Sequence, residues 1–240
     1  MATRTTARHG DRRGAVGALL SVLLGGCVVS PQPSPPVRDP ILDGGLIGVN
    51  GDFSILKNQI SLEGMPGAVD PAEGLIVVTN LDTTDAPVLG EVNEDGGFLI
   101  TLNASTENVL RLQVKQDERR STPVDLLLAA SPAGSTERVL DLLPCLETEP
   151  EVWVALEGGA RDIVVRNTCA DDVSIEAPRL RREGGPFSVS PAAAFVVPAG
   201  ESALVTVSAE GGGVEREDVL FLDITAPEPA RRALTLTLPD

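Results

Sequence analysis

Apolar residues recur along most of this chain in short runs separated by turn residues, and no segment sustains a helical period. From about Asn58 to Ala130 the runs are Ile60-Ser61-Leu62, Leu75 to Thr79, Val88 to Val92, Phe98 to Leu102, Val109 to Val114 and Pro123 to Ala129. Between two of them lies Asn93-Glu94-Asp95-Gly96-Gly97, where glycine can take the positive φ of a tight turn, so a β-hairpin is predicted there. Runs about ten residues apart fit an antiparallel sandwich. A second series follows: Trp153 to Leu156, Ile163 to Asn167, Val173 to Ile175, Phe187 to Val189, Ala203 to Ser208, Val219 to Thr225 and Ala233 to Leu238. The last alternates leucine with threonine, which predicts a strand with leucines in the core and threonines in water. The fold expected is all-β, two tandem β-sandwiches over residues 58–130 and 140–240, joined by a small, polar linker at 131–139.

The first 57 residues follow different rules. Arg4, Arg8, Arg12 and Arg13 precede an uncharged apolar stretch from Gly14 to Leu24, about half the length of a membrane-spanning helix. Leu24-Gly25-Gly26-Cys27 closes it. This resembles a bacterial lipoprotein signal peptide with its lipobox. The resemblance implies cleavage after residue 26 and acylation of Cys27 by palmitate-type chains, which would tie the protein to a lipid bilayer. Two or more acyl chains hold stably, at about 0.8 kcal/mol per buried methylene. Arg12-Arg13 leaves twin-arginine export open beside the general route. Val28 after the cysteine, where inner-membrane lipoproteins of enteric bacteria carry aspartate, favours the outer membrane. Residues 27–57 read as a tether, with Pro31-Gln32-Pro33-Ser34-Pro35-Pro36 stiffening its start.

Charge and composition narrow the chemistry. Removing residues 1–26, with four arginines and Asp11, takes the formal charge from -16 to -19. So acidic a chain is repelled by nucleic acid and anionic lipid. The single histidine, His9, falls in the signal, so the mature chain lacks the commonest general base and metal ligand. There is no tyrosine, and the aromatic residues are Phe53, Phe98, Phe187, Phe195, Phe221 and Trp153. With Cys27 acylated, Cys145 and Cys169 remain, and an even pair in an exported protein reads as a disulfide worth roughly 3 kcal/mol.

The second block resembles immunoglobulin-like domains of the abnormal-spindle and hydin type. The resemblance lies in Glu151 to Gly159, Ile163 to Ala170, Phe187 to Pro191 and Val197 to Val207. It implies a scaffold and interaction domain with no catalytic residues, and a cysteine pair that pins the opening segment to the end of a nearby strand. Trp153 stands close to where the family carries aspartate-phenylalanine-glycine. The first block is similar to bacterial immunoglobulin-like domains around Asp95-Gly96-Gly97-Phe98.

Other constellations have plain readings. Ser54-Ile55-Leu56-Lys57 matches S-x-x-K but lacks the S-D-N and K-T-G partners. Asp82, Asp85, Glu91, Glu94 and Asp95 cluster around two loops without the D-x-D-x-D-G pattern of a calcium loop, and read as solvated turn residues. Arg179, Arg181 and Arg182 form a basic turn, read as solvated, with an anion site as the alternative. Trp153 reads as core, and Gly211 to Gly213 as a loop. No catalytic residue, metal site or cofactor is assigned. The expected function is a non-catalytic surface or periplasmic lipoprotein, a protein-binding or adhesion scaffold whose protein partner the sequence does not identify. The alternatives are an accessory subunit of an envelope assembly for secretion or polysaccharide export, and a carboxylate-based enzyme.

Overall fold

The computed structural model describes residues 38–52, 59–128, 136–138, 143–151, 153–156, 159–210 and 216–238. Leu24, Gly25, Gly26, Cys27, the S-x-x-K match at Ser54 and Lys57, and Gly211 to Gly213 lie outside them. The described residues form strands and one 3-10 turn.

The first sandwich contains β1 (Ile41–Leu42), β2 (Ile47–Asp52), β3 (Gln59–Gly64), β4 (Val69–Asp70), β5 (Leu75–Asn80), β6 (Val88–Glu91), β7 (Phe98–Asn103), β8 (Val109–Gln116), β9 (Arg119–Arg120), β10 (Val124–Leu128) and β11 (Thr136–Arg138). One sheet runs β2-β3-β7 and the other β11-β10-β8-β5-β6, with β9 on β8 and β1 paired to β4. Alternation decides which side chains meet. Phe98, Ile100 and Leu102 point inward from β7, and Leu110, Leu112 and Val114 from β8, all into one core with Ile60, Leu62 and Ile76.

The second sandwich contains β12 (Leu146–Glu149), β13 (Trp153–Ala155), β14 (Gly159–Asn167), β15 (Val173–Ile175), β16 (Arg179–Leu180), β17 (Phe187–Ser190), β18 (Phe195–Val197), β19 (Ser202–Ala209), β20 (Glu217–Ala226) and β21 (Ala230–Thr237). Its sheets run β12-β14-β19-β17 and β13-β21-β20-β15-β18, with β16 on β20. The opening segment switches sheets: β12 pairs with β14, then β13 pairs in parallel with β21. The core holds Leu146, Ile163, Val165, Val205, Val207, Leu222, Leu234 and Leu236. Cys145 and Cys169 form a disulfide that joins the start of β12 to the end of β14. Trp153 stands opposite Thr235 along the backbone, and its side chain lies outside what is described.

Three expectations change. The tether does not extend to residue 57: β1 and β2 belong to the first sandwich, because Leu42, Ile47 and Val49 are apolar and complete its core. The linker 131–139 contains β11, which pairs with β10; a polar segment beside an open edge satisfies its backbone by joining it. The Asp95-Gly96 turn exists, with Gly96 at φ +79° and a Cβ there 2.5 Å from the Val69 carbonyl oxygen. It does not close a hairpin, since β6 pairs with β5 and β7 with β3. Glycine fixed the turn, while side-chain burial sent the two strands to opposite sheets.

Candidate functional site: a seam between the two sandwiches

Among the described residues β5, β8 and β20 are buried on both faces, and so is the second half of β21. In β8, Leu110, Leu112 and Val114 face the core, so Val109, Arg111, Gln113 and Lys115 face outward. In β20, Leu220, Leu222 and Ile224 face the core, so Val219, Phe221 and Asp223 face outward. These two outer faces meet. Leu81, Val219 and Phe221, with Val109 and Ala233, form a small apolar cluster drawn from both sandwiches.

Around that cluster the contacts are polar and directional. Arg111 donates from Nε and Nη2 to Asp125, at 2.8 and 2.7 Å, and from Nη1 to the Ala233 carbonyl at 2.6 Å. Thr235 Oγ1 donates to Gln113 Oε1 at 2.9 Å. Arg120 pairs with Glu217, which also lies 4.0 Å from Lys115 Nζ. Arg181 Nη1 donates to the carbonyl of Asn80 at the end of β5, at 3.3 Å, and to those of Thr83 and Asp85 in the β5–β6 loop, each at 2.8 Å. A buried guanidinium that meets several carbonyls avoids the large cost of an unpaired buried charge.

Asp218 lies behind Arg181, with Oδ1 3.8 Å from its Nε and 2.8 Å from the Val219 amide nitrogen; the Arg182 amide donates to Oδ2 at 3.3 Å. Burial pushes the Asp218 carboxyl above the usual aspartate range, against the pull of those amides and of Arg181 and Arg182. At the seam's open end, Asp223 accepts from Arg179 Nε at 2.8 Å and Arg231 Nε at 2.6 Å. Burial works to raise this carboxyl too, but the two guanidiniums prevail and hold it below the usual range. Both guanidiniums also lie over the Phe221 ring, at 4.3 and 5.0 Å from its centroid. Arg231 reaches across to Asp82 at 3.7 Å. A cleft of about 800 Å³, lined by Leu81, Val109, Asp125, Arg179, Asp223 and Arg231 among others, opens here.

Several sequence readings are revised by this seam. The threonines of β21 are not in water: Thr235 is 5% exposed and Thr237 is 9% exposed, because the first sandwich covers that face. Arg181 is not solvated: it is buried, its Nη1 donates to carbonyls of the other sandwich, and the anion beside it is the chain's own Asp218. The five clustered carboxylates are divided by topology. Asp82 and Asp85 follow the Asn80 end of β5, while Glu91 stands opposite Leu75 at its other end, with Glu94 and Asp95 in the turn beyond. Among the described residues, no group of three or more histidine, cysteine, aspartate or glutamate side chains is placed to hold a metal ion. Two signals of the seam were present in the sequence: the unbroken apolar run Leu75 to Val78 and its counterpart Val219 to Leu222. The alternation Val109-Leu-Arg-Leu-Gln-Val114 concealed it, because buried arginine and glutamine look like a wet face.

No family model matches the chain. No curated protein matches it. Among solved structures, it is similar to SSP-19, an MSP-domain protein-like family member of Caenorhabditis elegans, at 14% identity over 40% of this chain and 100% of that one, with a TM-score of 0.34. It is also similar to the VesB protease of Vibrio cholerae, at 14% identity over 71% of this chain and 63% of that one, with a TM-score of 0.32. A third is the adhesin InvE of Yersinia pseudotuberculosis, at 14% identity over 75% of this chain and 54% of that one, with a TM-score of 0.26.

Proposed function

We propose that this chain is an exported lipoprotein, held on the outer membrane through acylated Cys27, that serves as a non-catalytic protein-binding or adhesion scaffold. The second sandwich is of the abnormal-spindle and hydin type in this reading. One observation carries the scaffold role: four arginines at the seam fasten the two β-sandwiches to each other. Arg111, Arg120, Arg181 and Arg231 each reach across it. A pair fastened in this way presents its remaining edges and end loops at fixed separations, which is what a binding platform needs.

The anchor is tested by metabolic labelling with palmitate. The wild type is expected to be labelled and to sediment with membranes, and Cys27→Ala to lose both properties. An unlabelled wild type would overturn the anchor. The scaffold role is tested by crosslinking in intact cells, followed by recovery from detergent-solubilised envelope. A ligand on other cells or matrix is the expected result. A stoichiometric envelope subunit would turn the reading toward an assembly accessory, and recovery of the chain alone would overturn it.

A further inference from the structure

The seam covers only part of the outer face of its sheet. Leu75, Val77 and Thr79 of β5 lie on that face, as their pairing with Lys115, Gln113 and Arg111 of β8 requires. Val77 and Thr79 are buried, whereas Leu75 is 37% exposed. Beside them, Leu89 of β6 stands opposite Val77 on the same face and is 59% exposed. Leu75, Leu89 and Pro87 line a cavity of about 530 Å³ whose far wall includes Lys115 and Glu217, two residues of the seam. An apolar shelf therefore continues the seam outward to the margin of the sheet.

That margin is an open edge. Among the described residues β6 pairs with β5 alone, so its other side offers backbone donors and acceptors to a further strand. Charge selects the partner. Asp85 precedes the strand, Glu91 ends it and Glu94 and Asp95 follow, all of them exposed. A second copy of this chain pairing through β6 would bring acidic ends together in either direction, which is unfavourable. A segment with basic ends meets complementary charge in either direction.

We infer that β6 is a strand-addition site that accepts an extended segment of a partner protein, with an apolar side chain laid on the Leu75–Leu89 shelf and lysine or arginine flanking it. Backbone pairing supplies the affinity and the shelf the selectivity. The site rests on the scaffold reading and specifies it.

The test uses the full chain and a labelled peptide, Lys-Lys-Val-Thr-Val-Thr-Val-Lys-Lys, with two twins: one with glutamate for lysine, one with proline for the central valine. Fluorescence anisotropy is expected to show binding of the first peptide only, and hydrogen exchange to show protection of the amides in 88–91. Leu89→Lys is expected to weaken binding by about tenfold or more. Leu204→Lys serves as the control: Leu204 is 57% exposed, but on β19, which is paired on both sides. Its binding is expected to be unchanged. Equal binding of the proline twin, equal loss in both variants, or no binding at all would overturn the site. So would a wild-type dimer that Leu89→Lys abolishes, since the occupant would then be a second copy. Cellular crosslinking separates this site from the wider reading. Capture of a partner by wild type and Leu89→Lys alike would remove the site and keep the scaffold. Peptide binding with no cellular partner would do the reverse.

Discussion

Two aspartates five residues apart on β20 respond to burial in opposite ways. Asp218 has amides and a more distant guanidinium, and burial prevails; Asp223 has close bonds from Arg179 and Arg231, and pairing prevails. The consequences for stability have opposite signs. Asp218, held above its unfolded value, costs stability as pH rises through its folded pKa. Asp223, held below its unfolded value, adds stability above about pH 3.9, and that contribution fades as pH falls toward the folded pKa. With both arginines partly exposed, solvent keeps the gain to about 1 kcal/mol. Asp223→Asn is therefore expected to lower the melting temperature at neutral pH, with the gap to wild type closing below about pH 3.9. Thermal melts of both proteins across that range check this. A gap that is constant with pH would mean that the carboxylate charge is not what holds Arg179 and Arg231.

Among the elements, β12 is the one most dependent on help. It has four residues, pairs with β14 alone among the described residues, and carries exposed Glu147 and Glu149. Leu146 anchors it in the core, and the disulfide fixes its start. Replacing both cysteines by serine is expected to cost about 3 kcal/mol in urea unfolding, and reduction of the wild type to cost the same. A cost near zero would assign the anchoring to Leu146. This pairing was legible in the sequence because, once Cys27 is read as the acylated residue, Cys145 and Cys169 leave one choice. Most strands were legible too, since Phe98 to Leu102 and Ala203 to Ser208 alternate as one-sided strands do. Partner choice was not. Nothing near Gly96 tells that β6 and β7 enter different sheets, because the deciding contacts come from β5 and β3, distant in sequence. Nor could Arg181 be distinguished from its exposed neighbour Arg179: both are arginines in one turn, and only the approach of the β5–β6 loop buries one of them.

At the scale of the molecule, the seam decides how many bodies there are. Apolar contacts at Leu81, Val219 and Phe221 and the arginine-to-carbonyl bonds couple the two cores. Calorimetry of the wild type is expected to give one transition. Arg181→Met would leave Asn80, Thr83 and Asp85 carbonyls without their donor and Asp218 without one of its two cations, at a cost of about 3 kcal/mol, and is expected to separate the melt into two steps. Two steps already in the wild type would mean that the seam does not couple the cores. The disulfide matters at this scale in another way. A pull applied along the chain enters the second sandwich at Cys145 and can leave through sulfur at Cys169, 24 positions later. The strands between carry none of that tension, and a stretched molecule falls short by about 80 Å of the contour length its residue count would give.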